Sequence, residues 1–115
     1  MSKPIRELNL ELGRPDAAEA LRRLAAEVEA ARHLGTPAMK LIHGYGSSGK
    51  GGALKTACQK LCTERQRSGM IRHFVRGEDF TPFTDAGRKA IEICPQLKTD
   101  VDFGRQNDGI TIILF

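Results

Sequence analysis

KLIHGYGSSGKGGALK, residues 40–55, runs from an apolar strand through a glycine-rich turn into a helix, and the reading of the fold starts from that passage. Five glycines, Gly44, Gly46, Gly49, Gly51 and Gly52, fall within nine residues, with Ser47, Ser48 and Lys50 among them and His43 at the strand end. Glycine admits positive φ and close backbone approach, so successive N–H groups can converge on one point. The helix behind adds its unpaired N-terminal N–H groups and the positive end of its dipole. An anion, above all a phosphate, suits such a place. A turn that only reverses the chain is the simpler reading, although one or two glycines would suffice for it.

The flanks of this stretch are regular. Ala38–His43 reads as a strand, and a helix is expected from near Gly52 to just before Gly69, with Leu54, Cys58, Leu61 and Cys62 as its buried stripe. Upstream, Leu8, Leu10 and Leu12 alternate with Glu7, Asn9 and Glu11, predicting a half-buried strand over Ile5–Leu12 that Arg14 and Pro15 break. Asp16 followed by Glu19 is a capping box, and Leu21, Leu24, Val28 and Ala31 then recur at helical spacing. Gly35 and Pro37 stop that helix behind Arg32 and His33, which suit its negative end.

Met70–Arg76 reads as a third strand, Met70 and Phe74 on one face and Ile71 and Val75 on the other, with Arg72, His73 and Arg76 as its basic members. Those charges either extend a phosphate-binding surface or guard an edge strand against aggregation. Residues 77–108 are long for a connection; Asp85–Cys94 fits a short helix ended by Pro95, with Ala90, Ile91 and Cys94 inward. Phe80, Phe83 and Phe103 either anchor this insert or form a base-stacking platform, and with 5% aromatic residues anchoring is the better account. Ile110–Phe115 is the most apolar strand and belongs at the centre of the sheet. The order predicts one domain, residues 1–115 with an insert at about 77–108. Its expected fold is an α/β two-layer sandwich: a mostly parallel, four-stranded mixed sheet carrying two helices on one face, the last strand free to run antiparallel.

Composition narrows the function classes. With 115 residues, 40% hydrophobic, 28% charged and a mean hydropathy of -0.34, the chain resembles an ordinary globular protein, and no apolar run has the length of a membrane span. MSKPIRELNL lacks the apolar core of a secretion signal, and three cysteines without finger spacing suggest reduced, buried thiols, so a cytoplasmic setting is expected. Cys58 and Cys62 lie one turn apart, yet nothing nearby completes a zinc site. Charge is unevenly spread: residues 1–43 hold seven basic and six acidic side chains, residues 44–76 seven and one, residues 77–115 four and seven. The basic middle, with Lys50, Lys55, Lys60, Arg65, Arg67, Arg72 and Arg76, matches a phosphate backbone, or else a solvated helix face.

Gly44–Gly51 nearly spells a phosphate-binding loop of nucleotide hydrolases, but Gly51 stands where that motif needs a hydroxyl for magnesium, which argues against such an enzyme. A nuclease would use His43 to transfer a proton, Lys50 to offset charge on the phosphate oxygens, and Glu11 to hold a divalent metal or orient a water. Alternatively His43 caps its strand and bonds the loop backbone.

IHGYGSSGKGGALK resembles the HGxG signature of the small MutS-related (Smr) domain, with that family's glycine turn and leucine-plus-base helix start. Leu10-Glu11-Leu12-Gly13-Arg14 stands where the family shows LDLHG, and Asp108–Leu114 is similar to its closing strand. About two thirds of the chain is covered, the segment around 78–102 being unmatched. The resemblance implies a βαβαββ sandwich similar to the C-terminal domain of a translation initiation factor. It also implies binding of RNA or DNA, RNA preferred, and in some members endonuclease cleavage, including of messenger RNA on stalled ribosomes. His43, Gly44 and Gly46 match HGxG, and Lys55 matches the base that follows the turn. Gly13 and Arg14 replace the histidine and glycine of LDLHG, and Glu11 takes its aspartate position, which favours holding nucleic acid over cutting it. The expected contact set is thus His43, Gly44, Tyr45, Gly46, Ser47, Ser48, Gly49, Lys50, Gly51, Gly52, Lys55, Arg72 and Arg76. No resident cofactor is expected. A possible endonuclease centred on His43 and Glu11, and a ribosome or protein adaptor using the insert, stand as alternatives.

Overall fold

The computed structural model describes residues 3–13, 16–44 and 50–115, and of Lys50 and Gly51 the backbone only. Four strands, β1 (Arg6–Asn9), β2 (Ala38–Ile42), β3 (His73–Arg76) and β4 (Ile110–Leu114), alternate with α1 (Ala17–His33), α2 (Lys50–Arg67) and α3 (Asp85–Ile93). The sheet order is β1-β2-β4-β3; β1 and β2 are parallel, and β4 runs antiparallel to both β2 and β3. Thus β4 is central, as its apolar sequence requires, and all five of its residues are buried.

Capping sets the helix starts. Asp16 is extended, and its carboxylate accepts the Glu19 N–H at 2.8 Å, fixing the first turn of α1. Ala20, Leu24, Val28 and Ala31 then face the sheet, with Leu21 at the margin. Cys58 and Cys62 of α2 join this layer beside Leu8, Leu10, Met39, Leu41 and Ile113. All three cysteines are free and buried, and burial pushes the Cys58 and Cys62 thiols up to about 12, so these act as small apolar groups.

The sheet and its two helices match the expected sandwich, and the segment 77–108 adds a cover on the opposite face. There Ala90, Cys94 and Leu97 pack with Phe80 on Ala38, Val75, Ile110, Ile112 and Leu114. Phe80 and Phe103 meet edge to face with centroids 5.0 Å apart, the anchoring role expected of them, whereas Phe83 stands 88% exposed. Lys40 reaches into this layer from β2, bonded to Asp100 at 3.1 Å and ion-paired with Asp102. Asp102 in turn accepts from the Asn107 amide at 3.0 Å, and Asn107 Oδ1 receives the Gly109 N–H.

Two element boundaries differ from the periodicity. β1 stops at Asn9, whose side chain accepts the Glu11 N–H at 2.9 Å and turns the chain, leaving Leu12 65% exposed. β3 begins only at His73, because the N–H groups of Met70 and Ile71 both close on the Arg65 carbonyl at the end of α2. Ile71 therefore lies in the same layer as Met70 and Phe74, not opposite them. His73 is buried, its Nε2 donating to the Ala86 carbonyl at 3.2 Å, so it is no surface cation.

Candidate nucleic-acid interface

The C-terminal ends of β1, β2 and β3 open on one edge of the sheet, where α2 also begins. In α/β sheets that edge is where ligands settle. The first turn of α2 holds no acidic residue, so nothing on the helix itself opposes an anion at its start. Tyr45, Gly46, Ser47, Ser48 and Gly49 lie outside the described residues, as do the side chains of Lys50 and Gly51.

His43 leaves β2 with 1% exposure. Its backbone N–H and that of Gly44 both donate to the Gly109 carbonyl at 3.0 Å, which ties the exit of β2 to the entry of β4. A carbonyl can only accept, so Nδ1 carries the proton it donates to Gly44 O at 3.1 Å, and Nε2 accepts from the Thr111 hydroxyl at 2.9 Å. Burial, the strongest influence, lowers the His43 pKa, with the Lys55 charge acting the same way; the Gly44 bond, Glu78 and Glu11 oppose it. The ring is therefore neutral near pH 7, with both nitrogens engaged inside the fold.

Gly44 sits at φ +86, where a side chain is strained, and a Cβ there would lie 2.6 Å from Glu11 Oε2. Glu11 thus covers the backbone just after His43. Across the site, Lys55 donates to Glu78 Oε2 at 3.0 Å, Lys55 keeping 18% of its side-chain surface and Glu78 39%. Burial works to raise the Glu78 pKa, but its own backbone N–H, Lys55 and Arg76 hold it below the usual carboxylate range. Glu78 takes this position because Gly77 passes against the 107–110 segment without a side chain.

Of the sequence-predicted residues, the structure brings together Glu11, His43, Gly44, Lys55 and Arg76, with Gly52 in the first turn of α2. Arg72 stands apart: its N–H donates to Leu114 O, whereas Arg76 is in register with Thr111. Four strand steps separate the two by about 13 Å. Sequence reading missed Thr111 and Glu78. A lone hydroxyl in an otherwise apolar strand, and the first carboxylate after the basic middle of the chain, were the available signals. Among the described residues no group of three or more His, Cys, Asp or Glu side chains is placed to hold a metal, and no helix is long and apolar enough to cross a membrane.

Comparison with solved structures finds the Smr domain of Thermus thermophilus MutS2, with a TM-score of 0.55 and 24% identity over 95% of each chain. The chain therefore has the Smr-domain fold. No family model and no curated protein sequence matches it.

Proposed function

We propose, from the Smr-domain fold and the chemistry of this edge, that the protein binds nucleic acid through backbone phosphates, RNA in preference to DNA. The observation that carries the reading is the N-terminus of α2, with no acidic residue in its own first turn, opening beside Lys55 and Arg76 at the edge where β1, β2 and β3 end. A basic stretch of seven cations and one acid over residues 44–76 supplies the long-range attraction. The RNA preference rests on the family resemblance alone at this point.

Holding, not cutting, fits the state of His43. A neutral ring whose Nδ1–H is spent on Gly44 and whose Nε2 lone pair is spent on Thr111 has no lone pair left for a substrate proton. It acts instead as a strut between β2 and β4. Glu11 and Glu78 flank the site without forming a metal cluster among the described residues. A ribosome-bound RNA would present the same phosphates as a free one.

The test is binding of labelled single-stranded RNA by the Lys50→Ala, Lys55→Ala double variant. Removing two phosphate contacts should weaken binding about tenfold or more at low salt and flatten the log–log salt dependence by about 1.4, since each single-strand contact contributes about 0.7. Unchanged affinity and slope would rule the site out.

A further inference from the structure

Lys55 is already occupied in the unbound protein. Its ammonium donates to Glu78 Oε2 at 3.0 Å, and the carboxylate is the more exposed partner, so it can swing into water and leave the ammonium bare. The pair is more than a chance meeting of two surface side chains. Helical side chains lean towards the N-terminus of their helix, which turns Lys55 back towards the start of α2. Glu78 comes from the insert, on a 3₁₀ turn, Gly77–Asp79, that is anchored on both sides. Gly77 is wedged against Asn107 and Ile110 without room for a Cβ, and Phe80 is fully buried. Lys55, Glu78 and Glu11 all act on His43 through their charges, which places the pair at the edge already described. Among the described side chains there, Lys55 and Arg76 are matched by Glu11 and Glu78, so the free edge is near neutral despite the basic stretch around it.

A carboxylate and a phosphate offer a lysine the same thing, an anionic oxygen that accepts a charge-assisted hydrogen bond. We propose that Glu78 is a built-in competitor, occupying in the free protein the place on Lys55 that a backbone phosphate takes when nucleic acid binds. This rests on the nucleic-acid reading above and adds to it a rule for which phosphates are accepted. A tethered carboxylate faces Lys55 at an effective concentration of about millimolar or more, so a solitary phosphate at lower concentration does not displace it. A strand already held at the start of α2 presents its next phosphate at a comparable effective concentration, and does displace it. The contact therefore passes oligonucleotides and turns away inorganic phosphate and single nucleotides.

The experiment measures binding of a labelled single-stranded RNA by fluorescence anisotropy at one low salt concentration, for the parent, Glu78→Gln, Lys55→Ala and the double variant. Glu78→Gln should bind about fivefold more tightly than the parent, because Lys55 is released to the strand. In the Lys55→Ala background the same change should gain less than about twofold, since the competitor has nothing left to occupy. Glu78→Ala is the second variant and should repeat the gain, because only loss of the carboxylate matters. A Glu78→Gln or Glu78→Ala protein that binds no more tightly than the parent overturns the proposal. So does an equal gain with and without Lys55, which would mean that the carboxylate merely repels the strand. In a separate arm, inorganic phosphate at about 1 mM should shift the amide resonances of the first turn of α2 in Glu78→Gln and leave those of the parent in place. Equal responses of the two proteins overturn the discrimination. If RNA binds neither the parent nor any variant, the nucleic-acid reading falls as well; binding that depends on Lys50 and Lys55 but ignores Glu78 removes the competitor alone.

Discussion

Gly77→Ala is expected to destabilise the protein by roughly 3 kcal/mol, at the upper end of what overpacking costs and larger than a typical surface change. A Cβ at this position would lie 1.8 Å from the Asn107 carbonyl oxygen, 2.7 Å from Ile110 Cγ1 and 2.8 Å from the Ile110 carbonyl oxygen. Backbone is met on two sides, and Ile110 is part of the buried central strand, so no flexible side chain can yield. Either β4 or the segment before it must shift. Urea denaturation would show a lower midpoint with an unchanged slope. Displacing the chain here also moves Glu78 away from Lys55.

Lys40→Met should cost about 3 kcal/mol, the lower end of what breaking one side of a buried ion pair costs. Lys40, Asp100 and Asp102 retain only 9%, 17% and 14% of their side-chain surface. Burial works against the lysine charge, but the bonds to Asp102 and Asp100 prevail and raise its pKa, while Lys40 and Asn107 hold Asp102 below the usual carboxylate range against burial. Methionine keeps the length and leaves two carboxylates facing each other without a cation. The pH dependence gives the check. In the parent, a depressed Asp102 contributes stability that is lost as pH falls through its folded pKa. In the variant, the same carboxylates gain by taking up a proton, so the stability gap should be widest near pH 7 and narrow towards pH 4. A gap independent of pH would mean that packing, not charge, sets the cost.

These two positions show why part of the molecule was readable from the sequence and part was not. Local rules found the capped start of α1, the buried stripe of α2, the helix from Asp85 and the central β4, because each depends on side chains a few residues apart. The β1 and β3 boundaries depend on competing local bonds, Asn9 to the Glu11 N–H and Arg65 to the Met70 and Ile71 N–H groups, which alternation of apolar residues does not reveal. The second face of the sheet was hidden for a different reason. Its cover is fixed by contacts across long separations, such as Lys40 with Asp100 and Gly77 with Asn107, and no period encodes them.

The candidate site divides the same way. His43, Gly44 and Lys55 stand in one short stretch whose glycines announce its chemistry. Glu78 arrives only because Gly77 can pass the 107–110 segment, and Thr111 only because β4 pairs with β2 beneath His43. The insert thus contributes Glu78 to the candidate site rather than merely interrupting the fold. The links from Lys40 through Asp102 and Asn107 to Gly109 end on the carbonyl that holds His43 and Gly44.

The most direct test of phosphate holding at this edge is an amide proton–nitrogen correlation spectrum of the labelled protein, titrated with a short single-stranded RNA. The largest shifts should fall on Gly44, on the first turn of α2 and on Gly77–Glu78, and should shrink as salt rises. Shifts confined to the exposed Phe83 turn and α3, or to the far end of the sheet around Arg72, with Gly44 and the start of α2 unmoved, would contradict the account.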